Sequence, residues 1–573
     1  MRTPFGRLPK GLHRIFTSRC YADLGRVHRH TDEGTGGFEL NRRKWWIGLV
    51  LLLIVALIPV GVYLFRGQST VEAADKPLEP DKTWTDNEGR TVKDFTVIAK
   101  QVKWQIAPNF QVDALTYGGT VPGAKIQVTE GERVRVKLVN QLNVPISIHW
   151  HGYPVPNAMD GVTGVTQDPV APGQSFTYDF VAKVPGTYFY HSHYNSAQQV
   201  DQGLYGVFVV LPKNEPVKYD RDYTLVLDEW MNMSGSGNGM GNMDMGNMNM
   251  GNMNGMDHSN MNMGSSSTES APAANATPSN NMPVMDHDQM MKMMYNVYTV
   301  NGKSGSLIQP LEVKEGEKVR LRFINAGYMT HLVHLQGQTF QVAATDGNPI
   351  ANPSPVQDKL LSIGAGERYD VTFVAGAKDF AIDLHDQTSG AKTAVIPVHV
   401  AGNTQAQPVA DQANLPVLDL TTYGQNTGGS VDEGQFDKSY TLHLNSTFQG
   451  NDQVYTINGK TWPNTDVLEV RKGERVKVTL INDGKSDHPM HLHGHTFQVL
   501  RYNGKPVTGS PINKDTLLVR PGETYEIAFT ADNPGNWAFH CHDLHHASAG
   551  MMTLLKYQDY QSNYRIDLSK VGE

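Results

Sequence analysis

The chain has 573 residues and a formal net charge of −8, with 18% charged residues. This length is too great for one hydrophobic core and predicts about three domains of ~100–200 residues each. The net charge is mild for this length and shows no basic patch, which argues against nucleic-acid binding. Val, Thr and Tyr recur in short alternating runs between turns, which predicts an all-β protein.

The first predicted element is the apolar segment WWIGLVLLLIVALIPVGVYLF at residues 45–65. In a helix with ~1.5 Å rise per residue it would span the ~30 Å hydrocarbon core of a membrane, so we predict a single transmembrane anchor. Three basic residues precede it, which predicts a cytoplasmic basic tail at 1–44 and an extracytoplasmic remainder at the cell membrane. A signal peptide cleaved near residues 71–73 is the alternative, but the apolar run exceeds the ~7–15 residues of a signal core.

Three later segments resemble one another and predict serial β-sandwich domains. Each copy has an alternating strand, a Gly-Glu-(Arg/Lys) turn, a second alternating strand and a histidine-bearing segment. A repeat unit well above ~50 residues with period-two strands indicates sandwiches rather than a solenoid. The predicted domains and the polar linker before the third are residues 86–213, 219–402, 403–436 (linker) and 437–560.

The second copy differs from the third at its histidine positions. Where the third copy has three histidines, the second reads His331, His334 and Gln336. We therefore interpret His331 and His334 as remnants of a lost metal site or as hydrogen-bonded core residues. His495, which follows the histidine run of the third copy, is expected to face solvent.

A methionine-rich insert at residues 231–294 interrupts domain two. It holds 17 of the chain's 23 methionines among Gly, Asn and Ser. Such a composition cannot bury enough apolar surface to order itself, so a disordered spacer is one interpretation. Thioether sulfur selects Cu(I), so the other interpretation is copper capture, with His258 and His287 as supplementary ligands.

Four histidine motifs carry the predicted chemistry: HWHG at 149–152, HSH at 191–193, HPMHLHGH at 488–495 and HCHDLHHASAGM at 540–551. In a strand, an H-x-H pair places both imidazoles on one face. Two pairs from the first domain and two from the third can therefore converge and enclose several metals. Cys541 points away from its flanking histidines and, with two other histidines and a methionine, makes the ligand set of a blue-copper electron-transfer centre.

These motifs, in this order, resemble those of the multicopper oxidases, a family that includes laccases, ascorbate oxidase, ferroxidases and bacterial copper-efflux oxidases. The resemblance covers roughly residues 90–560 and implies three cupredoxin-like Greek-key β-sandwiches. It also implies four copper ions, with single electrons passing from a reductant through Cys541 to a cluster that reduces dioxygen to water. The implied ligands are His149 and His491 for type 2 copper; His151, His191, His193, His493, His540 and His542 for the type 3 pair; and Cys541, His488, His546 and axial Met551 for type 1 copper.

Reduction of oxygen consumes protons, so carboxylates are expected to act as relays beside the cluster. Asp160, in MDGVTG, matches the acid that follows H-x-H-G in the family and is predicted to be catalytic; a simple turn residue is the alternative. The second family acid lies within or just after H-C-H-x3-H. This sequence has Leu544 and Ala547 there, and Asp543 and His545 are the nearest candidates.

Three functions are compatible with these motifs. The methionine insert resembles those of copper-efflux and copper-resistance oxidases and favours oxidation of Cu(I), for copper tolerance. A laccase-like phenol oxidase of broad range is the second interpretation. A non-catalytic copper-buffering module is the third, although storage does not need an H-C-H bridge. Met551 implies a lower potential than Leu or Phe would give, because thioether donation favours Cu(II).

Overall fold

The computed structural model describes residues 76–232, 287–402, 415–426, 434–450 and 452–571, which form β-sandwiches in series. The prediction of a predominantly β protein is confirmed. The predicted tail at 1–44 and anchor at 45–65 lie outside these residues, as does most of the methionine-rich insert. Within the described ranges, no helix is long and apolar enough to cross a membrane.

The first sandwich has nine strands in its described residues. They are β1 (Lys82–Thr85), β2 (Thr91–Ala107), β3 (Phe110–Tyr117), β4 (Gly123–Thr129), β5 (Arg133–Asn140), β6 (His149–His151), β7 (Ser175–Val181), β8 (Gly186–His191) and β9 (Tyr205–Leu211). One sheet has the order β1-β2-β5-β7, with β3 also on β2, and the other has the order β4-β9-β8-β6. The alternation RVRVKLVN in β5 buries Val134, Val136 and Leu138 in the core. Helix α1 (Ser196–Asp201) follows β8.

The second sandwich has eleven strands among the residues described. They are β10 (Arg221–Met231), β11 (Tyr295–Val300), β12 (Leu311–Val313), β13 (Lys318–Asn325), β14 (His331–Leu335), β15 (Phe340–Thr345), β16 (Asn348–Pro349), β17 (Leu361–Ile363), β18 (Arg368–Val374), β19 (Phe380–Asp386) and β20 (Lys392–Val400). The sheets have the orders β11-β10-β13-β18-β15-β16 and β12-β20-β19-β14-β17. Helix α2 (His287–Met294) runs directly into β11.

The third sandwich has twelve strands in the part of the chain that is described. They are β21 (Lys438–Gln449), β22 (Asp452–Ile457), β23 (Leu468–Val470), β24 (Arg475–Asn482), β25 (His488–Leu492), β26 (Phe497–Tyr502), β27 (Lys505–Pro506), β28 (Asn513–Lys514), β29 (Thr516–Val519), β30 (Thr524–Thr530), β31 (Asn536–Cys541) and β32 (Met552–Tyr557). The sheets have the orders β22-β21-β24-β30-β26-β27, with β28 on β26, and β23-β32-β31-β25-β29. Helix α3 (Leu544–Ser548) follows β31.

The sequence repeat is also a repeat of topology. In each sandwich a long strand pairs in parallel with the strand after the Gly-Glu turn: β2 with β5, β10 with β13 and β21 with β24. The first and third sandwiches also share a small apolar cluster, in which Val162 and Val165 pack against Ala538, Met552 and Leu554. This contact brings the histidine strands of the two sandwiches to one interface.

Candidate metal centres

Backbone pairing between strands sets the relative positions of the histidine motifs within each sandwich. In the first, β6 pairs with β8 so that His149 lies opposite His191. In the third, β25 pairs with β31 so that His491 lies opposite His540 and Met490 lies opposite Cys541. Because neighbouring strands are ~4.8 Å apart, each ladder sets two ligand motifs side by side.

The interface between these ladders gathers eight imidazoles, all at most 1% exposed. Across the interface, His542 Nε2 lies 3.4 Å from His191 Nε2, and the ring centroids of His149 and His493 are 3.8 Å apart. Within the third sandwich, His493 Nε2 lies 2.9 Å from His540 Nε2. The eight residues that the structure brings together are His149, His151, His191, His193, His491, His493, His540 and His542.

These imidazoles fit a copper cluster in both charge and donor chemistry. Burial is the main cause that holds the pKa of His151, His191 and His542 well below the ordinary histidine value, and repulsion from neighbouring rings adds to it. These rings are therefore neutral. Among the described residues, His149 Nε2 and His491 Nε2 have no hydrogen-bond partner. A buried polar atom without a partner costs ~1–3 kcal/mol, and neutral imidazole is a good copper ligand.

A second candidate centre surrounds Cys541. Its Sγ lies 3.7 Å from His488 Nδ1 and 3.7 Å from His546 Nδ1, and all three side chains are buried. The carboxylate of Asp543 accepts from the backbone N–H groups of His545 and His546 at the start of α3, which turns His546 back toward the cysteine. Met551 is fully buried in the same core, and its carbonyl accepts from Cys541 N at 3.0 Å.

Asp160 contacts imidazoles that belong to both the first and the third sandwich. It is buried, with Oδ1 3.1 Å from His149 Nδ1 and Oδ2 3.1 Å from His493 Nδ1. It also ends a short 3-10 turn at Asn157–Met159, so it is a turn residue as well. A carboxylate in this position can orient two imidazoles and hold a proton beside the cluster.

The two other relay candidates lie beside the cysteine centre. Asp543 Oδ2 is 3.3 Å from His546 Nε2, and His545 Nε2 is 3.1 Å from Asp201 Oδ2. Burial acts to lower the pKa of His545, but Asp201 and Asp543 outweigh it and raise the pKa to about 10. Since His545 is then an imidazolium held by two carboxylates, it is poorly suited to release protons at neutral pH.

Sequence reasoning missed two residues of the third sandwich that contact the imidazoles where this sandwich packs against the second. Asp515 Oδ1 lies 3.4 Å from both His151 Nε2 and His491 Nδ1, and Thr516 Oγ1 lies 3.0 Å from the same two atoms. Asp515 in turn forms a fully buried ion pair with Arg368. No histidine motif marks these residues, although Thr516 lies opposite His491 in the pairing of β25 with β29 and Asp515 directly precedes it.

The remaining histidine predictions have mixed outcomes. In the second sandwich, His331 Nε2 pairs with Glu229 Oε2 at 3.2 Å, Gln336 donates to Asp383, and no group of three ligands forms around the described His331. The expectation that His495 faces solvent is wrong. It is buried, with Nε2 2.7 Å from the hydroxyl of Tyr557, because the turn after β25 folds into the core. His258 lies outside the described residues, as does the side chain of His287.

One H-C-H segment joins the cysteine–histidine site to the eight-histidine interface. This combination of ligands, carried on β-sandwiches, defines a copper protein with two kinds of centre. Three family profiles, each described as multicopper oxidase, match residues 99–215, 221–404 and 436–561. The chain belongs to the multicopper oxidases, copper-containing oxidoreductases that use dioxygen as acceptor.

Several known proteins are similar to this chain. Multicopper oxidase MmcO of Mycobacterium tuberculosis is 32% identical over 78% of this chain and 83% of its own. A copper resistance protein A homolog of Pseudomonas syringae pv. tomato is 26% identical over 91% and 99%. The crystal structure of a multi-copper oxidase from Pseudomonas thermotolerans is 26% identical, with a TM-score of 0.58 over 82% of this chain and 100% of that one. These relatives do not favour a non-catalytic buffering module.

Proposed function

We propose that this multicopper oxidase oxidises Cu(I) to Cu(II) outside the cytoplasm and so contributes to copper tolerance. The overall reaction consumes four Cu(I), one dioxygen and four protons, and yields four Cu(II) and two waters. The observation that carries the choice of Cu(I) is a cluster of methionines beside the cysteine centre.

In this proposal the two candidate centres hold the four copper ions. When bound, these ions supply one-electron transfer and the four-electron reduction of dioxygen. The proposed ligands are Cys541, His488, His546 and Met551 for type 1 copper; His149 and His491 for type 2; and His151, His191, His193, His493, His540 and His542 for the type 3 pair.

The chain provides the connection between the centres. Cys541 is joined by its own backbone to His540 and His542, so electrons can cross from one centre to the other through a few covalent bonds. Both ends of this path are fully buried, which keeps water away from it. Asp160 contacts imidazoles of the cluster, and we assign it the role of holding and delivering protons there.

The methionine cluster lines a cavity that reaches the cysteine centre. This cavity of about 580 Å³ is lined by Met291, Met329, Asp487, His545 and His546, among others. Met291 and Met329 belong to an apolar cluster that also includes Met231 and Met294, from the two ends of the insert. Thioether sulfur favours Cu(I) over hard cations, and His546 is a proposed type 1 ligand, so the cavity supports delivery of Cu(I) to that centre.

Replacing both Met291 and Met329 with leucine is expected to raise KM for Cu(I) about tenfold, equivalent to ~1.4 kcal/mol of binding. Leucine fills a similar volume but has no sulfur lone pair, so turnover of a small phenol should stay unchanged. Steady-state oxygen uptake with each reductant measures both effects. Met293→Leu is the matched control, because Met293 lies on the same helix and is 68% exposed. Equal losses with Cu(I) and phenol would instead favour a laccase-like oxidase.

The insert can be tested separately from helix α2. Deleting residues 233–286 leaves β10 and α2 in place and removes most of the insert's methionines. If the insert captures copper, cuprous activity should fall at low Cu(I) concentration while phenol oxidation is retained. Untouched cuprous activity would show that the insert is not a substrate site.

We also propose that the enzyme lies at the cell membrane, with a cytoplasmic N-terminus and a single-pass anchor at residues 45–65. Its support is the length and apolarity of that segment. The full chain should fractionate with membranes and resist extraction by carbonate, whereas a chain beginning at residue 70 should be soluble. Recovery of a mature protein that starts near residue 74 would favour the cleaved signal peptide.

A further inference from the structure

The second sandwich supplies none of the proposed copper ligands, yet it packs against the eight-histidine interface. We propose that Arg368 of this sandwich is a positioning residue for the trinuclear site, acting through Asp515 on His491 and His151. The inference rests on the proposed ligand assignment. It gives the second sandwich a role in copper binding that its lost histidine motif would not suggest.

Arg368 holds Asp515 in one orientation. Its Nη1 donates to Asp515 Oδ1 at 2.6 Å and its Nη2 donates to Oδ2 at 2.6 Å, an arrangement in which two parallel bonds fix the carboxylate plane. Two further guanidinium donors, on Nη1 and Nε, reach the carbonyls of Gly366 at 3.1 Å and Thr187 at 3.3 Å. The pair is fully buried, so these contacts replace the hydrogen bonds that water would otherwise make to both charged groups.

Asp515 and its neighbour Thr516 then set the direction of His491. The Asp515 carbonyl accepts from His491 Nδ1 at 3.0 Å, with its carboxylate 3.4 Å from the same nitrogen. Thr516 Oγ1 donates to Asp515 Oδ1 at 2.8 Å. With the proton held on Nδ1, the lone pair of His491 lies on Nε2, which has no partner among the described residues. This tautomer is the one that binds metal through Nε2.

Asp346 of the second sandwich attaches the start of β29 through hydrogen bonds and one ion pair. Asp346 accepts from the backbone N–H of Arg368 at 2.8 Å and from those of Asp515 and Thr516 at 3.2 Å each. Lys514 Nζ lies 3.2 Å from Asp346 Oδ2. The start of β29 is therefore fixed to the second sandwich by both side-chain and backbone contacts.

Gly366 shows how closely the second sandwich approaches the imidazoles. A Cβ at this position would lie 2.8 Å from His542 Cγ and 3.0 Å from His151 Cε1, and its φ of +80° is strained for any other residue. The backbone of the second sandwich thus closes one side of the interface. Loss of Arg368 would leave the Asp515 carboxylate buried without its counterion, next to two proposed ligands.

Arg368→Met tests the inference in the full-length, copper-loaded enzyme. We expect the affinity for type 2 copper to fall about 10–100-fold, so that dialysed protein keeps about three of its four coppers. The type 2 signal in electron paramagnetic resonance should weaken, while the blue absorbance of the cysteine centre stays. Arg368→Lys keeps the charge but cannot form the paired hydrogen bonds, and should restore part of the signal.

Arg322→Met is the matched control. Arg322 is also buried in the second sandwich and pairs with Asp222, with Nε 2.8 Å from Oδ1 and Nη2 2.9 Å from Oδ2. It should lower the melting temperature without removing type 2 copper. A folded Arg368→Met enzyme with a full type 2 signal, or equal loss in Arg322→Met, would overturn the inference.

A milder variant covers the case in which Arg368→Met does not fold. Thr516→Val keeps the side-chain shape but removes the hydroxyl near His151 and His491, and should shift the hyperfine splitting of the type 2 signal. An unchanged spectrum would count against the inference. Absence of any blue or type 2 signal in the parent enzyme would instead refute the ligand assignment, so the two failures can be told apart.

Discussion

Replacing Cys541 with serine is expected to abolish the blue absorbance and to reduce turnover at least about 10³-fold, equivalent to ~4 kcal/mol in the barrier. The sulfur lies 3.7 Å from both His488 Nδ1 and His546 Nδ1, and the cysteine is fully buried. Serine has nearly the same shape but offers no soft thiolate to stabilise copper. The backbone that joins His540 to His542 is unchanged, so the variant tests the sulfur and not the connection.

Absorption spectra, copper content and oxygen uptake with Cu(I) measure this effect. The type 2 and type 3 ions should remain bound, because their proposed ligands are untouched. Cys20→Ser is the control and should leave spectrum and turnover as in the parent enzyme. A blue band in Cys541→Ser, or turnover within tenfold of the parent, would show that the cysteine does not hold the electron-accepting copper.

Replacing Asp160 with asparagine is expected to lower kcat about 10²-fold, the lower end of the usual range for a lost general acid or base. The carboxylate contacts His149 Nδ1 at 3.1 Å and His493 Nδ1 at 3.1 Å. An amide has a single acceptor oxygen and cannot carry the proton, so it would serve one imidazole and deliver nothing to oxygen. Copper content should change little, because the side-chain volume is preserved.

Stopped-flow measurements separate the two halves of this reaction. In Asp160→Asn, bleaching of the blue band by reductant should keep its rate, whereas reoxidation by dioxygen should become slow. Asp168→Asn is a suitable control, since Asp168 lies in the same sandwich with a 62% exposed side chain. Normal reoxidation in Asp160→Asn would show that Asp160 is a turn residue and does not deliver protons.

Local sequence rules predicted the β fold and identified the four histidine motifs. An H-x-H pair has one geometry in a strand, and the repeated Gly-Glu turns and alternating runs, such as RVRVKLVN in β5, mark the sandwich strands. Position after a motif likewise led to Asp160, whose carboxylate contacts His149 and His493.

Contacts made between sandwiches were beyond these rules. Arg368 and Asp515 are 147 positions apart and meet only when the second and third sandwiches pack together. The prediction for His495 failed for a related reason, because burial of the turn beside Tyr557 depends on how the strands stack and not on the local pattern. The nearest relay candidates in sequence, Asp543 and His545, lie beside the cysteine centre because α3 turns the chain at that point.

Copper content per chain tests the central claim most directly, which is that the first and third sandwiches enclose a copper cluster connected to the Cys541 centre. The full chain, loaded with copper and freed of excess metal, should contain four coppers by elemental analysis and show the blue band. Changing His149 and His491 to alanine together should remove copper from the cluster while the blue band persists. A parent enzyme that binds a single copper would contradict the claim.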